Sequence, residues 1–276
     1  MSLIFKKMKK HQVITVLLIS FFVFSCKEKS KKAQLSIQFE NLEPKINLNE
    51  LETDFMKWWT YHSNNISLSI NFTGLNEKSD TIEKKQFLEK LITSKFIPVK
   101  LKSNVGFKTY KLFKLDSSAN KSIIRTIKNE SLTSLKHYKM EGLPFPKFDF
   151  TDLNGQLYTN KNTKGKTIVL KTWFINCKAC VAEFPELNEL VKKHKEKNDI
   201  IFVSLALNSK SKLERFLHKK DFEYKVVPNQ KDFIEQQLNL QTYPTHIIVG
   251  KNGTILKVVN KASEMIEFLE NEQIID

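Results

Sequence analysis

Two cysteines three positions apart, Cys177 and Cys180, are the residues of this chain whose type and spacing point most directly to chemistry. They follow an apolar run at 167–174, which predicts a buried strand, and precede a segment at 181–194 whose pattern predicts a helix. At the start of a helix, unpaired backbone N–H groups and the positive end of the helix dipole stabilise a thiolate. The second sulfur lies one turn further along, close enough to form a disulfide with the first. The pair therefore predicts a dithiol that is repeatedly oxidised and reduced.

The alternatives for this pair are half of a zinc site, a haem attachment site and two buried cysteines. A structural zinc site needs four ligands, but the third cysteine, Cys26, lies far upstream and His194 lies well down the same predicted helix. Attachment of a c-type haem requires a histidine directly after Cys180, where the sequence has Val181. These contexts favour the redox dithiol.

The start of the chain predicts export and lipid anchoring. Four lysines between positions 6 and 10 precede an apolar run at 13–24 that is too short to span a bilayer comfortably. The run ends in Val23-Phe24-Ser25-Cys26, which resembles the lipobox of bacterial lipoproteins. By that resemblance residues 1–25 are a signal peptide, Cys26 carries the lipid, and residues 26–46 form a lipidated tether. We expect a protein of the cell envelope, lipid-anchored to a membrane and facing the periplasm; the alternative is an uncleaved N-terminal anchor.

Residues 47–140 predict a small α+β domain of unknown role. Helical spacing of apolar residues occurs around Trp58 and Trp59, and again at 82–91 and within 118–140. Residues 66–72 alternate like a strand, and two further strands are predicted at 96–101 and 107–115, with a turn at 102–106. We expect the tryptophan pair to lie in the core, with a peptide-binding or dimer surface as the alternative.

The turn-rich segment 142–146 predicts a domain boundary, followed by a second domain at 141–276 in which strands and helices alternate. Asn252-Gly253 between two apolar runs predicts a closing hairpin. This order predicts an α/β fold with a mixed central sheet flanked by helices. The predicted strands lie at 148–151, 166–174, 200–207, 224–228, 245–249 and 255–260, and the predicted helices at 181–194, 211–219, 232–238 and 262–270.

From residue 142 to residue 276 the chain resembles the TlpA/ResA-like branch of the thioredoxin fold, a family of bacterial membrane-anchored thiol-disulfide oxidoreductases. The matching positions lie in the family's order on both sides of the dithiol: Pro146, Phe148, Gly155, Gly165, Lys166, Trp173, Glu183, Pro185 and Pro244. The resemblance implies a thioredoxin-like fold, preceded here by the smaller α+β domain. It also implies an exported enzyme that reduces protein disulfides with its dithiol.

The resemblance assigns roles to individual residues. Cys177 corresponds to the attacking cysteine and Cys180 to the buried resolving cysteine, and together they form the redox-active disulfide. Glu183 corresponds to an acidic residue that exchanges a proton with Cys180; the alternative is an exposed helix glutamate. Pro185 corresponds to a proline that kinks the first helix. The substrate-binding positions implied are Trp173, Tyr243 and Pro244, with a cis peptide bond before the proline.

Three positions depart from the family pattern. Lys178-Ala179 stands between the cysteines, where relatives commonly have proline before the second cysteine, so the redox potential cannot be copied from a relative. Lys171, six positions before Cys177, replaces an acid of thioredoxin. We expect its ammonium group to extend to water along an apolar stem, with a cation that stabilises the thiolate as the alternative. Tyr243 is bulky where smaller residues are frequent, which alters partner choice.

The net charge of +15 is carried by lysines scattered along the chain, which argues against nucleic-acid binding and favours attraction to anionic lipid headgroups. No metal or organic cofactor is implied. The expected partners are a protein or peptide disulfide substrate, an upstream reducing partner, and the membrane through Cys26.

Two other functions remain open. A thiol peroxidase shares the fold, but its Pro-x-x-x-Thr-x-x-Cys signature is absent, since Asn176 precedes Cys177 and Thr172 stands at the wrong offset. The second alternative is a redox-sensing module in which the domain of Trp58 and Trp59 binds a ligand.

Overall fold

The computed structural model of the protein describes residues 46–102 and 108–271. The predicted signal peptide, Cys26, nearly all of the tether and most of the turn at 102–106 lie outside these ranges. Within the described ranges, no helix is both long enough and apolar enough to cross a bilayer.

The first part of the described chain, up to Met140, forms helices packed against a small mixed sheet. Within the described residues the strand order is β2-β1-β4-β3, with β1 parallel to β4 and the other pairs antiparallel. Trp58 is fully buried in this core, as expected, whereas Trp59 is 45% exposed. The elements are α1 (Leu48–Thr53), α2 (Phe55–Asn65), β1 (Thr73–Leu75), β2 (Thr81–Ile82), α3 (Lys84–Ile92), β3 (Phe96–Leu101), β4 (Thr109–Lys114) and α4 (Lys121–Met140).

The strand predicted at 66–72 was wrong. Ile66, Leu68 and Ile70 are buried in alternation with less buried neighbours, so the side chains follow the predicted pattern, but the backbone joins no sheet. Side chains satisfy its polar groups instead: Lys84 Nζ donates to the carbonyl oxygens of Ser69 and Ile70 at 2.7 and 2.8 Å. Alternating burial therefore arose here from packing alone, without a neighbouring strand.

The second part of the described chain has the predicted mixed central sheet flanked by helices. Among the described strands the order is β11-β10-β7-β8-β9; β7, β8 and β9 are parallel, and β10 is antiparallel to both β7 and β11. Every residue of β7 is buried, as expected of a central strand. The elements are β5 (Asp149–Thr151), β6 (Leu157–Thr159), β7 (Thr167–Trp173), α5 (Lys178–Ala182), α6 (Phe184–Lys193), β8 (Ile200–Ala206), α7 (Lys210–Leu217), β9 (Lys225–Val227), a π-helical turn (Phe233–Gln237), β10 (Thr245–Val249), β11 (Ile255–Val259) and α8 (Ala262–Asn271).

The helix predicted at 181–194 is two helices that together start earlier. The first, α5, begins at Lys178 with Cys177 as its N-cap, and α6 begins at Phe184 after a break at Glu183. Pro185 lies in the first turn of α6, where its missing N–H costs no helical hydrogen bond. The proline therefore starts a new helix, and the break leaves Glu183 at the junction of two helices.

The two parts of the described chain are in contact. Lys257 of β11 is buried, and its Nζ lies 3.1 Å from Oε1 of Glu141 and 3.2 Å from Oδ1 of Asn71. Lys108 and Glu267 form a more exposed ion pair at 2.9 Å. The division into two domains near residue 141 stays a prediction.

Candidate active site

The cysteine pair lies where β7 ends and α5 begins. In this structure Cys177 and Cys180 are joined by a disulfide. The backbone N–H of Cys180 donates a hydrogen bond to Sγ of Cys177 at 3.2 Å, so the start of the helix directs a donor at that sulfur. Cys177 is 8% exposed and Cys180 is 0% exposed. The sulfur that the helix start would stabilise as a thiolate is thus also the more accessible one.

The start of β10 lies beside this pair in the fold, and the peptide bond between Tyr243 and Pro244 is cis. Thr172 of β7 fixes the neighbouring residue, because its Oγ1 accepts a hydrogen bond from the N–H of Thr245 at 3.1 Å. The Asn260 side chain donates to the carbonyl oxygen of Pro244 at 2.8 Å. Contacts from β7 and from the residue that follows β11 therefore hold this segment in place.

Trp173, a predicted substrate-binding residue, is fully buried. It packs in the same cluster as both cysteines and makes an edge contact with the ring of Phe184, with ring centroids 5.0 Å apart. A fully buried ring presents no surface to a docked peptide, so the expected direct substrate contact does not fit this structure. Trp173 instead packs against the cysteine pair from within the core.

Partly exposed apolar side chains surround the cysteine pair. Phe174 and Tyr243 meet edge to face, with ring centroids 5.4 Å apart. Ile175 and Val181 pack against the same cluster and are also partly exposed. Burial raises the pKa of Tyr243 to about 12, so its phenol stays neutral. These four side chains form an apolar rim, a suitable surface for an extended peptide.

Three charged or titratable side chains form a buried group at the break between α5 and α6, which we call the Glu183 triad: Lys171, Glu183 and His246. Lys171 Nζ contacts Oε2 of Glu183 in a short ion pair. Nε2 of His246 lies 3.0 Å from the same oxygen, and the N–H of Ala262 donates to Oε1 at 2.9 Å. Lys171 and His246 are fully buried, and the Glu183 side chain is 14% exposed. Groups from three elements, β7, β10 and α8, thus converge on one carboxylate.

The carboxylate is the stable form of Glu183. Burial acts to raise its pKa, but the hydrogen bond with His246 and the positive charge and hydrogen bond of Lys171 outweigh burial and hold the pKa at about 2. Burial lowers the pKa of Lys171, against the attraction of Glu183. Burial also lowers the pKa of His246, again against the hydrogen bond with Glu183. Near neutral pH the triad therefore combines a carboxylate with an uncharged imidazole.

One expectation and one alternative reading of this region differ from the structure. Lys171 does not extend to water, because β7 is covered on both faces and its ammonium group is enclosed against Glu183. Glu183 is likewise no exposed helix glutamate, because the break between α5 and α6 turns it inward. Proton exchange between Glu183 and Cys180 stays a prediction.

Sequence reasoning missed His246. It stands two residues after Pro244 in a strand whose residues are all buried, where an imidazole needs a polar partner. One signal was available in the sequence: Lys171 and His246 each stand in a strand that is too apolar to face water. Their pairing in register, which brings them to one face, appears only in the fold.

Comparison with known proteins agrees with this geometry. The Redoxin family model matches residues 140–271. The thiol-disulfide oxidoreductase ResA of Bacillus thuringiensis is 32% identical over 136 residues, which cover 49% of this chain and 78% of that protein. The chain belongs to the ResA/TlpA-like family of thiol-disulfide oxidoreductases.

Other relatives match a similar share of the chain. The thioredoxin-like protein YneN of Bacillus subtilis is 28% identical over 117 residues, covering 42% of this chain and 68% of that protein. A solved thioredoxin domain of a thiol-disulfide oxidoreductase from Bacteroides vulgatus covers 49% of this chain and 98% of its own, with a TM-score of 0.44 and 20% identity. As a ResA/TlpA-like protein, the chain is an enzyme with a thioredoxin-like fold preceded by a smaller α+β part.

Proposed function

We propose that this ResA/TlpA-like enzyme is exported, anchored to a membrane by lipid, and reduces protein disulfides with Cys177 and Cys180. The observation that carries the proposal is the asymmetry of the pair. Cys177 is the accessible sulfur and receives a backbone N–H at the start of α5, whereas Cys180 is fully buried. Attack by one sulfur and resolution by the other follow from that difference.

The reaction proceeds by two thiol-disulfide exchanges. The Cys177 thiolate attacks a substrate disulfide, a mixed disulfide forms, and one substrate sulfur leaves as a thiolate. Cys180 then loses its proton and attacks Sγ of Cys177, which releases the second substrate sulfur and closes the Cys177–Cys180 disulfide. Two electrons pass to the substrate, and an upstream dithiol partner must return two electrons to the enzyme.

The substrate is a protein or peptide disulfide held over the apolar rim. Phe174 and Tyr243 provide partly exposed aromatic surface beside Cys177, and the cis peptide bond between Tyr243 and Pro244 lies next to them. Trp173 supports the cysteines from the core. A flexible peptide loses less binding energy to desolvation on these apolar side chains than on charged ones.

A turnover assay tests this function against its alternatives. With excess dithiothreitol as the electron source, we expect the purified protein to reduce a model protein disulfide catalytically and to leave hydrogen peroxide consumption at the rate of dithiothreitol alone. Peroxide turnover without disulfide turnover would identify a thiol peroxidase. Turnover of neither substrate, with redox-dependent ligand binding, would identify a redox-sensing module.

The anchor is a separate proposal that rests on Val23-Phe24-Ser25-Cys26, which lies outside the described residues. We assign residues 1–25 to the signal peptide, 26–46 to the lipidated tether, 47–140 to the N-terminal domain and 141–276 to the thioredoxin-like domain. In this arrangement the protein is held on a membrane of the cell envelope, facing the periplasm. The N-terminal domain then sets the distance from the membrane or the choice of partner.

Replacement of Cys26 tests the anchor. In a bacterial host we expect Cys26→Ser to be released from membranes or to remain unprocessed, because serine cannot carry the thioether-linked lipid. Fractionation and gel mobility give the result, and Cys177→Ser, which keeps the anchor, is the matched control. A Cys26→Ser protein that fractionates and migrates like the parent would refute lipidation.

A further inference from the structure

His246 uses only one of its two ring nitrogens in this structure. Nε2 lies 3.0 Å from Oε2 of Glu183. Because an ionised carboxylate only accepts hydrogen bonds, Nε2 must carry the hydrogen of a neutral ring, and Nδ1 is then a bare lone pair. Nδ1 is buried and has no hydrogen-bond partner in the described part of the chain. A buried acceptor left in this way requires a functional or structural reason.

The charges of the groups that face this imidazole cancel when the ring is neutral. Lys171 faces it from β7, and Glu183 faces it from the junction of α5 and α6. From β11, the residue paired with His246 is the apolar Val259. The positive and negative charges of Lys171 and Glu183 cancel, so a neutral His246 leaves the triad without net charge. Glu186 lies further out and acts on Lys171 and Glu183, while the buried phenol of Tyr224 interacts with Glu183.

The triad adjoins the dithiol on the same side of the sheet. Trp173 follows Lys171 by two positions, so both side chains lie on one face of β7, and Trp173 packs with both cysteines. Pro244, directly before β10, is likewise two positions from His246. Glu183 follows Cys180 by three positions, which places the two residues one above the other along α5. A negative charge that forms on the sulfurs is therefore next to the triad, in surroundings with little water to screen it.

We propose that His246 is a redox-linked proton site, which takes up a proton at Nδ1 when the Cys177–Cys180 disulfide is reduced and releases it when the disulfide reforms. This inference rests on the dithiol function proposed above. Two electrons from the upstream dithiol break the S–S bond and leave a Cys177 thiolate. One of two protons goes to Sγ of Cys180 and the other to Nδ1 of His246. The imidazolium balances the charge of the thiolate, and oxidation by a substrate returns both protons.

The sign of the pH dependence follows directly. A thiolate favours the imidazolium, so the pKa of His246 is higher in the dithiol form than in the disulfide form, where burial keeps the pKa below its ordinary value. At a pH between those two pKa values, reduction of the disulfide takes up one additional proton, which binds to His246. Lower pH then favours reduction by up to about an additional tenfold per pH unit.

The test compares the reduction equilibria of three proteins. Wild type, His246→Gln and His62→Gln are equilibrated with a dithiothreitol redox pair from pH 5 to 8, and the dithiol fraction is counted by alkylation and mass spectrometry. Glutamine keeps an N–H for Glu183 but cannot take a second proton. We expect the ratio of the wild-type to the His246→Gln equilibrium constant to change by up to about tenfold per pH unit within the titration window.

His62 is a matched control. Its Nε2 lies 2.7 Å from Oε2 of Glu130, and its buried Nδ1 also has no partner among the described residues, but it lies in α2. We expect His62→Gln to keep the wild-type pH dependence. The same pH dependence in wild type and His246→Gln would overturn the proton site, as would an equal effect of His62→Gln.

A second measurement needs no variant to fold. NMR titration of the His246 ring in the wild-type protein is expected to give a higher pKa in the dithiol form than in the disulfide form, and equal pKa values would overturn the inference. Failure of the proposed function gives a different result. If Cys177 and Cys180 cannot be cycled between disulfide and dithiol, both proposals are overturned. Cycling without a shift at His246 overturns only this one.

Discussion

Replacing Cys177 with serine is expected to lower disulfide reduction by on the order of a thousandfold or more, to the uncatalysed rate, as removal of a catalytic nucleophile does in other enzymes. Serine at this position has no thiolate to receive the N–H of Cys180. Cys180→Ser is expected to behave differently. It still attacks but cannot resolve, so it stops after one event and accumulates a mixed disulfide with its substrate.

The assignment is checked by turnover together with non-reducing gels and mass spectrometry. Cys26→Ser is the control, because it removes the third cysteine of the sequence without touching the pair. In the reduced protein, a limiting alkylating agent is expected to label Cys177 before Cys180, since only Cys177 is partly accessible. Preferential labelling of Cys180, or a mixed disulfide trapped on Cys177→Ser instead, would reverse the two roles.

Replacing Lys171 with methionine is expected to destabilise the protein by about 3–5 kcal/mol, because the carboxylate of Glu183 then loses a charge partner inside the core. For a chain of this size the corresponding fall in melting temperature is on the order of 10 °C. The double variant Lys171→Met/Glu183→Gln is expected to recover a large part of this loss, since it leaves no uncompensated charge. Thermal and urea unfolding of the disulfide form measure both effects.

The exposed pair of Lys251 and Asp199 supplies the control. Both side chains are about half exposed, so Lys251→Met is expected to change stability little. If Lys171→Met were as mild as Lys251→Met, or if the double variant were no better than the single one, Lys171 would not be the partner that holds Glu183.

The ion pair of Lys171 and Glu183 also predicts how the free energy of unfolding falls at acid pH. The pKa of Glu183 is about 2 in the fold and has an ordinary value of 4.5 when unfolded, so its contribution is fully present above pH 4.5 and is lost as pH falls toward 2. His246 adds a second loss of stability, which begins as the pH falls below its unfolded pKa of about 6.5. Its pKa is lower in the folded protein, so the unfolded chain binds a proton that the folded protein does not yet bind. Glu183→Gln is expected to flatten the curve between pH 4.5 and 2.

Several features of the fold were predictable because they depend on neighbours along the chain. The buried strand β7, the helix start at Cys177 and the hairpin at Asn252-Gly253 each follow from a few adjacent residues. Residues 66–72 show the limit of such patterns. Their alternation predicted a strand, but a strand also needs a partner, and Lys84 occupies the polar backbone groups that a partner would use.

From the sequence alone, the dithiol, its position at a helix start and an α/β fold with a mixed central sheet were predicted, because spacing, strand periodicity and turn residues act over short distances. The thioredoxin-like assignment came from the resemblance to the family. What surrounds the dithiol was decided only by the tertiary structure. Lys171, Glu183 and His246 are brought together by the pairing of β7 with β10 and by the break at Glu183. In the sequence, a lysine in an apolar strand predicted extension of its ammonium group to water. Its burial depends on which remote carboxylate the fold places against it, and that is a long-range contact which no local pattern encodes.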